Sequence, residues 1–307
     1  MGVCSPVLFL VFNRPEQTAR VFEAIRAARP ERLFVAADGP RPDRFGEGER
    51  CSEARAIATA VDWPCQVQTL MRSENLGCGA AVSGAIDWIF SKEEEAIILE
   101  DDCLPDASFF DYCTSMLDRF RGDQRVGQVC GFNLLPEASP LSSDYFPSHF
   151  GWCWGWATWR RAWKSFDPSM EGWNRLKRLG LHRQHPFYRE RVRVFDLESN
   201  LGLANTWDYQ WHYALASQGM LSLVPSVNLV RNIGFTADAT HTVDPDPFRS
   251  RSAAALVVNS DLRHPEFMLA NPAYEQALIR AAHPGPWRRW VVPKFRRLMA
   301  KVLPCQP

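Results

Sequence analysis

Three consecutive carboxylates, Glu100, Asp101 and Asp102, directly follow an apolar run at residues 96–99. Adjacent carboxylates repel one another, and burying them together raises their pKa values. A divalent cation that prefers oxygen ligands, Mg²⁺ or Mn²⁺, removes that cost, and diphosphate oxygens complete its coordination shell. Neighbouring side chains of an extended chain point to opposite faces, so Asp101 and Asp102 are expected to have different partners. The triplet, Glu100 included, predicts a metal site in which one of Asp101 and Asp102 contacts the metal and the other contacts a nucleotide. The alternative is a solvated acidic turn in which Asp106 caps the next helix.

Polar side chains also follow the other apolar runs of the first third of the chain. Ligands of parallel α/β sheets bind outside the carboxyl ends of the strands, where the strand order reverses. Amide and guanidinium donors suit a phosphate or a base, and a carboxylate suits a ribose or a uracil edge. The sequence therefore predicts a nucleotide site formed by Asn13, Arg14, Asp38, Asn75, Gly77 and Asp101.

The elements that position these residues follow from the apolar periodicity. Continuous apolar runs at 7–12, 33–37 and 96–99 predict strands buried on both faces, and residues 67–71 predict a further strand. Helical spacing predicts helices at 15–30, 49–61 and 79–90 between them, and later a helix at 207–218 and a strand at 221–224. This alternation predicts an α/β fold, a Rossmann-like, mostly parallel sheet flanked by helices and built from right-handed βαβ units. The pattern changes near residue 131, which predicts three parts of the chain. Residues 1–130 are expected to bind the nucleotide, and residues 131–270 are expected to form the other half of the same domain, which binds the acceptor substrate. Residues 271–307 are expected to form a basic amphipathic segment.

Composition excludes several classes of protein. The chain has 307 residues, 46% of them hydrophobic, which excludes a disordered or collagen-like chain. Lysine plus arginine equals aspartate plus glutamate at 35 each, so no global field favours nucleic acid. Nine cysteines without a CxxC pair indicate reduced thiols. No signal-peptide core and no apolar run of about 20 residues is present, which predicts a cytoplasmic protein.

Tryptophans crowd the segment after residue 150. Trp152, Trp154 and Trp156 alternate, so in an extended chain they share one face, with Gly151 and Gly155 leaving room for a ligand. Stacking on a sugar ring is expected of Trp154 and Trp156, and core packing of large aromatics is the alternative.

Two further features lie towards the end of the chain. His241, in a polar loop, is a candidate ligand for diphosphate or metal, with a plain surface histidine as the alternative. Residues 280–307 contain no acidic residue and interleave arginine with aromatic and aliphatic residues around Pro293. That pattern is typical of a helix lying on anionic lipid, which predicts peripheral binding at the inner face of the membrane. The alternative is a basic helix packed on its own domain.

Four segments carry a resemblance in their order along the chain. They are the run from Pro6 to Pro15, Leu99-Glu100-Asp101-Asp102, the segment from Gly151 to Trp156, and the segment from Trp207 to Trp211. The set resembles the GT-A glycosyltransferases, most closely family 13, the N-acetylglucosaminyltransferase I type, and bacterial family 2-like sugar transferases. The resemblance implies a metal-dependent inverting transfer from a nucleotide sugar, UDP-N-acetylglucosamine or a related UDP-sugar, to a glycan or lipid-linked acceptor.

The resemblance also implies roles for individual residues. Arg14 and Asp38 would contact the uridine, Asp101 the ribose and Asp102 the metal. Asp208 would be the general base that takes the proton of the acceptor hydroxyl. The chain departs from the pattern at two positions. Family 13 has a second acidic residue where Tyr209 stands, and it has a histidine on the uracil where this chain offers Asn75. A helix N-cap or first-turn acid is the alternative for Asp208.

Three other functions compete with this one. A dehydrogenase is disfavoured because the segment from Leu76 to Gly79 follows the third strand and lacks the third glycine of a dinucleotide fingerprint. A sugar-phosphate nucleotidyltransferase would need a glycine-rich loop after the first strand, where Asn13-Arg14-Pro15 is short. The third is a non-catalytic carbohydrate-binding or scaffold protein.

Overall fold

A computed structural model describes residues 5–184, 206–234 and 262–282, together with positions 192, 195, 196, 199 and 256. Its strands are β1 Val7–Val11, β2 Arg32–Ala37, β3 Gln66–Met71, β4 Glu95–Glu100, β5 Cys103–Pro105, β6 Val126–Cys130, β7 Tyr145–Ser148, β8 Trp156–Trp159, β9 Leu221–Pro225 and β10 Val230–Asn232. Its helices are α1 Pro15–Ala28, α2 Glu47–Ala58, α3 Cys78–Phe90, α4 Ser108–Arg119, α5 Arg160–Trp163, α6 Gly172–Arg178, α7 Asp208–Ser217 and α8 Pro272–Ala282. Short 3₁₀ turns lie at Pro136–Ala138 and Leu181–Gln184.

Eight strands form one mixed sheet in the order β3-β2-β1-β4-β8-β6-β9-β7. The first four strands are parallel, as the apolar runs predict. β8 runs antiparallel to both of its neighbours, β4 and β6, and β7 runs antiparallel to β9. The chain moves outward from β1 to β3 and returns to place β4 on the other side of β1. The strand order therefore reverses between β1 and β4, which is where ligands of such sheets bind.

Side chains of β1 alternate between the two faces of the sheet. Val7, Phe9 and Val11 pack in a cluster with residues of α1 and α4, while Leu8 and Leu10 pack with residues of α3, α5 and α7. All five residues are buried, which explains why the run is apolar without interruption. The predicted Rossmann-like α/β class is therefore confirmed.

The periodicity located most elements of the first half within one to three residues, and it also located α7 and β9. It did not predict β5, β6, β7, β8 or β10, which have three to five residues each. Residues on both sides of position 130 contribute strands to the same sheet, and the predicted division of the chain stays a prediction. No helix among the described residues is long and apolar enough to cross a bilayer.

Helix α8 is held to the sheet through a buried carboxylate. Glu275 Oε1 accepts hydrogen bonds from the Ser148 hydroxyl at 3.0 Å and from the His149 backbone N–H at 2.6 Å, and it lies 3.1 Å from His149 Nδ1. Burial alone would raise the pKa of Glu275, but the His149 and Ser148 contacts outweigh it and lower that pKa. The ionised form of Glu275 therefore stabilises the folded state.

Glu275→Gln is expected to lower the free energy of unfolding at pH 7 by about 2 kcal/mol, because a charge-assisted hydrogen bond is lost. Since the folded-state pKa is depressed, this contribution is present above the unfolded pKa of about 4.3 and is lost as the pH falls through the folded value. Urea unfolding at pH 7 and at about pH 3 measures it, and the difference between variant and wild type should shrink at the lower pH. The exposed Glu266→Gln is the control. An equal difference at both pH values would contradict this role.

Candidate functional site

The carboxyl ends of β1 and β4 bring Arg14 onto the predicted acidic motif. Arg14 Nη1 lies 2.8 Å from Asp102 Oδ2 and 3.5 Å from Asp101 Oδ1. The Phe12 backbone N–H donates to Asp101 Oδ2 at 3.2 Å. Residues 101 and 102 form a turn between β4 and β5, so the two carboxylates share Arg14 instead of pointing to opposite faces as the extended chain predicts. Asp101 is tied to the end of β1, while Asp102 is paired mainly with a side chain.

Burial and mutual repulsion shift the pKa values of this acidic cluster. Burial, with Asp102, Asp101 and Asp208 adding repulsion, raises the pKa of Glu100 well above its usual value. Burial and the Asp102 charge raise the pKa of Asp101 to about 7, against the opposing effect of Arg14. Burial opposes the charge of Arg14, but the neighbouring carboxylates outweigh it and raise the Arg14 pKa. The cluster is electrostatically strained, and a further cation would relieve it.

Asp38 organises the loop that follows β3. Its carboxylate, 8% exposed, accepts hydrogen bonds from the backbone N–H groups of Leu76 at 3.0 Å and of Gly77 at 3.1 Å. Asn75 Nδ2 donates to the Gly39 carbonyl at 2.7 Å. Gly77 has φ 78° and ψ 160°, a conformation that residues with a side chain rarely adopt. The predicted nucleotide residues Asp38, Asn75 and Gly77 are therefore joined in one loop structure, and their contact with a nucleotide stays a prediction.

A hollow of about 370 Å³ opens beside this loop, lined by Met71, Arg72, Ser73, Glu74 and Leu76. It lies on the carboxyl side of β3, the same edge as Asp38 and Arg14. Its lining provides one guanidinium, one carboxylate and one hydroxyl.

Sequence reasoning missed Glu47, which is fully buried at the start of α2. Its carboxylate accepts hydrogen bonds from Asn13 Nδ2 at 2.8 Å and from the Arg41 backbone N–H at 2.7 Å, and it pairs with the Arg41 guanidinium at 2.5 Å. The Arg41 guanidinium also lies 5.6 Å from the centre of the Phe12 ring. Glu47 therefore joins the end of β1 to the loop after β2. Glu47 is the first residue of α2 and has the ordinary sequence signature of a first-turn acid, so nothing in the sequence marked it as buried.

The charges of several predicted site carboxylates act on the Cys78 thiol at the start of α3. Burial raises the pKa of its thiol to about 12, and four carboxylates add to that shift. They are Glu100, Asp208, Asp102 and Asp38. Asp208, the first residue of α7, is thus brought within electrostatic reach of a motif that lies more than a hundred positions earlier. Four of the five predicted acidic residues therefore lie within electrostatic reach of Cys78.

The two-stranded sheet of β5 and β10 closes the site on one side. The Ile233 N–H donates to the Asp102 carbonyl at 2.7 Å. A Cβ added at Gly234 would lie 2.1 Å from Asp102 Oδ2, so a glycine is required at this close approach. Asp102 is therefore held between Arg14 and the backbone after β10.

Gly234→Ala is expected to displace the Asp102 carboxylate and to weaken metal-dependent UDP binding by about 10–100-fold, as disturbed ligand supports do. Gly48→Ala is the control, since a Cβ there meets nothing within 4 Å. Calorimetric titration of both variants measures the effect. Wild-type affinity in Gly234→Ala would show that Asp102 need not stand where the structure places it.

The prediction that Trp152, Trp154 and Trp156 share one face is wrong. The rings of Trp152 and Trp154 both meet the edge of Phe132, with centroids at 6.1 and 4.7 Å, whereas Trp156 stacks on Trp207 at 5.5 Å. The chain is not extended before β8, because Gly155 adopts φ 61° immediately ahead of it.

The predicted sugar contact of Trp156 is contradicted by its complete burial. The space beside the two glycines is also filled by protein. An added Cβ would lie 2.5 Å from Ser222 Oγ at Gly151 and 2.6 Å from Val230 Cγ2 at Gly155. Trp154 is partly buried, and its sugar contact stays a prediction. His241 and the basic segment after residue 282 lie outside the described residues.

Asp102 fits a metal that arrives with its substrate. In the part of the chain that the structure describes, no group of three or more His, Cys, Asp or Glu side chains is arranged to hold a metal ion. Mg²⁺ commonly keeps several waters and takes one or two carboxylates together with substrate phosphates. A single carboxylate at the strand switch point suits that mode and does not suit a permanently bound structural ion.

Comparison with known proteins gives little further. No protein-family model and no curated protein matches the chain. Among solved structures, the inositol-1-phosphate CTP transferase from T. maritima aligns with 72% of this chain and 85% of its own, at 9% identity and a TM-score of 0.34. A likeness of this size carries no conclusion about what this chain binds or does.

Proposed function

We propose that this chain is a metal-dependent transferase that binds a nucleotide sugar at the carboxyl edge of its sheet. One observation carries the proposal: the Arg14 guanidinium meets the carboxylates of Asp101 and Asp102 at the carboxyl ends of β1 and β4, where the strand order reverses. Open α/β sheets bind nucleotides at such a point. A cluster of carboxylates with Arg14 beside it suits a diphosphate that carries Mg²⁺ or Mn²⁺.

Within that class we propose an inverting glycosyltransferase that uses a UDP-sugar. The Arg14 guanidinium and the loop held by Asp38 bind the nucleotide, and Asp101 orients the ribose. Asp102 and Glu100 would hold the metal, whose positive charge would stabilise negative charge on the leaving diphosphate. Asp208 accepts the proton of the acceptor hydroxyl as its oxygen attacks the anomeric carbon. The acceptor is a glycan or a lipid-linked sugar, and residues 280–307 bind the anionic membrane surface that presents it.

The second candidate is a sugar-phosphate nucleotidyltransferase. It is favoured by the same group of residues, because Arg14 with the carboxylates of Asp101 and Asp102 would also suit a nucleoside triphosphate with its metal. Helix α1 begins at Pro15, directly after Arg14, so no long loop follows β1 to enclose a triphosphate. We therefore place this function second.

Product analysis separates the two candidates. A glycosyltransferase releases UDP from UDP-sugars, and the proposed inversion is read by NMR from the anomeric configuration of the product. A nucleotidyltransferase releases pyrophosphate when a sugar phosphate is supplied with CTP or UTP. Release of pyrophosphate without UDP release would replace the first proposal with the second.

A further inference from the structure

We infer that Arg14 is an internal counter-cation that occupies the metal-binding oxygen of Asp102 and must leave it before a divalent cation can bind. The inference deepens the proposed function, since it takes Asp102 to be the metal ligand. Its consequence is that metal binds weakly alone and tightly together with a diphosphate.

Both oxygens of the Asp102 carboxylate already have neighbours. Arg14 Nη1 lies 2.8 Å from Oδ2, and the Cys103 thiol lies 3.5 Å from Oδ1. The Arg14 and Asp102 side chains are each 17% exposed, so water weakens this ion pair less than it would weaken a surface pair. A guanidinium N–H and a divalent ion compete for the lone pairs of one carboxylate oxygen, and the close approach of Gly234 leaves little room at Oδ2 for both. Metal binding at Oδ2 therefore requires the guanidinium to move.

Asp102 is the partner that stays in place. Its carbonyl is fixed by the Ile233 N–H at 2.7 Å, and Gly234 stands against Oδ2 so closely that even a methyl group would not fit. The Arg14 carbonyl is also fixed, since it accepts the Thr18 N–H at 2.9 Å at the start of α1. The Arg14 side chain, however, has several rotatable bonds beyond that anchor. The exchange therefore consists of a swing of the Arg14 side chain.

A diphosphate is the ligand that would draw Arg14 away. The planar guanidinium matches phosphate oxygens with two parallel hydrogen bonds. When a nucleoside diphosphate enters beside β1, Arg14 exchanges a carboxylate for a phosphate and keeps an anionic partner, while Asp102 becomes free for the metal. Metal that arrives alone must displace Arg14 without offering it a new partner.

Binding of Mn²⁺ alone to Arg14→Gln tests the inference. Free Mn²⁺ is counted by electron paramagnetic resonance. The variant is expected to bind Mn²⁺ at least about tenfold more tightly than the wild type. In the variant, Mn²⁺ no longer competes with the charge-assisted hydrogen bond from Arg14 to Asp102, and the loss of one such bond corresponds to a change of this size. Its melting temperature is expected to be lower than that of the wild type without metal and to rise more with Mn²⁺, because a ligand of the folded state stabilises it.

Two further variants make the test specific. Arg41→Gln also removes an arginine near the site, but its guanidinium is paired with Glu47, so this variant should gain no Mn²⁺ affinity. The double variant Arg14→Gln with Asp102→Asn should lose the gain. Mn²⁺ binding by Arg14→Gln no tighter than that of the wild type, or a gain that survives Asp102→Asn, overturns the inference.

A conservative variant covers the case in which Arg14→Gln does not fold. Arg14→Lys keeps the charge, but a compact, strongly hydrated ammonium on a different stem replaces the planar guanidinium whose Nη1 contacts both carboxylates. Tighter Mn²⁺ binding than in the wild type is expected here too, and equal affinity contradicts the inference. Failure of the proposed function looks different: a wild type that binds no UDP with Mn²⁺, while Arg14→Gln still gains Mn²⁺ affinity, refutes the nucleotide site and leaves the exchange at Asp102 standing.

Discussion

Asp102→Asn is expected to abolish metal-dependent binding of UDP. The variant keeps the size of the side chain and removes the charge that a hard cation requires. Disturbing only the groups that support a metal ligand costs about 10–100-fold in affinity, so loss of the ligand itself is expected to cost about 100-fold or more. Calorimetric titration of UDP with and without Mn²⁺ measures this loss.

A control variant and a folding test show whether the loss of UDP binding is specific to Asp102. Asp111→Asn, an exposed acid in the first turn of α4, should bind UDP as the wild type does. Asp102→Asn should still fold, because removing one of several repelling carboxylates lowers the electrostatic strain of the cluster. If Asp102→Asn bound UDP with undiminished metal dependence, the metal would have to lie elsewhere.

Asp208→Asn is expected to lower turnover by about 10²–10⁴-fold while UDP affinity stays within about twofold, since a general base contributes to the chemical step and not to nucleotide binding. Turnover is measured as UDP release from UDP-sugars supplied with a mixture of glycan acceptors. Asp208 begins α7 and its charge acts on Glu100 of the acidic motif, which supports the proposal that it acts on an acceptor beside the diphosphate.

Tyr209→Phe is the matched variant for Asp208→Asn. It tests the neighbouring position, where the family pattern has its second acidic residue, and it should leave turnover largely intact. Unchanged turnover in Asp208→Asn would remove the base from this residue. Loss of UDP binding in that variant would assign Asp208 to the nucleotide or metal instead.

Most of the parallel half of the fold was predictable because β1, β2 and β4 are buried on both faces, whereas the edge strand β3 is largely exposed. A run such as the one that forms β1 has no polar interruption, and proline bounds the helix that follows it. The carboxyl ends of those strands then located Arg14, Asp38 and Asp102 at one edge. The burial of these strands and the reversal of strand order therefore explain why these residues of the candidate site could be predicted from the sequence.

The remainder depends on contacts between distant segments, which leave no periodic signal. β5 and β10 have three residues each, and their pairing is what brings Gly234 against Asp102. Glu47 is a buried charge whose partners come from two different loops. The tryptophan prediction failed because a single left-handed glycine, Gly155, ended the alternation. Contacts between segments that are distant in the sequence, and turns set by single residues, cannot be predicted from the periodicity of residues along the chain.

Titration of the wild-type protein with UDP, in the presence and absence of Mn²⁺, tests the proposed nucleotide site most directly. The acidic residues beside Arg14 lie where the strand order reverses. A nucleotide site there predicts saturable UDP binding with Mn²⁺ and binding that is weaker by about tenfold or more without it. Absence of binding of UDP, GDP, CMP and dTDP under both conditions would contradict a nucleotide site at this edge and would favour a carbohydrate-binding or scaffold role.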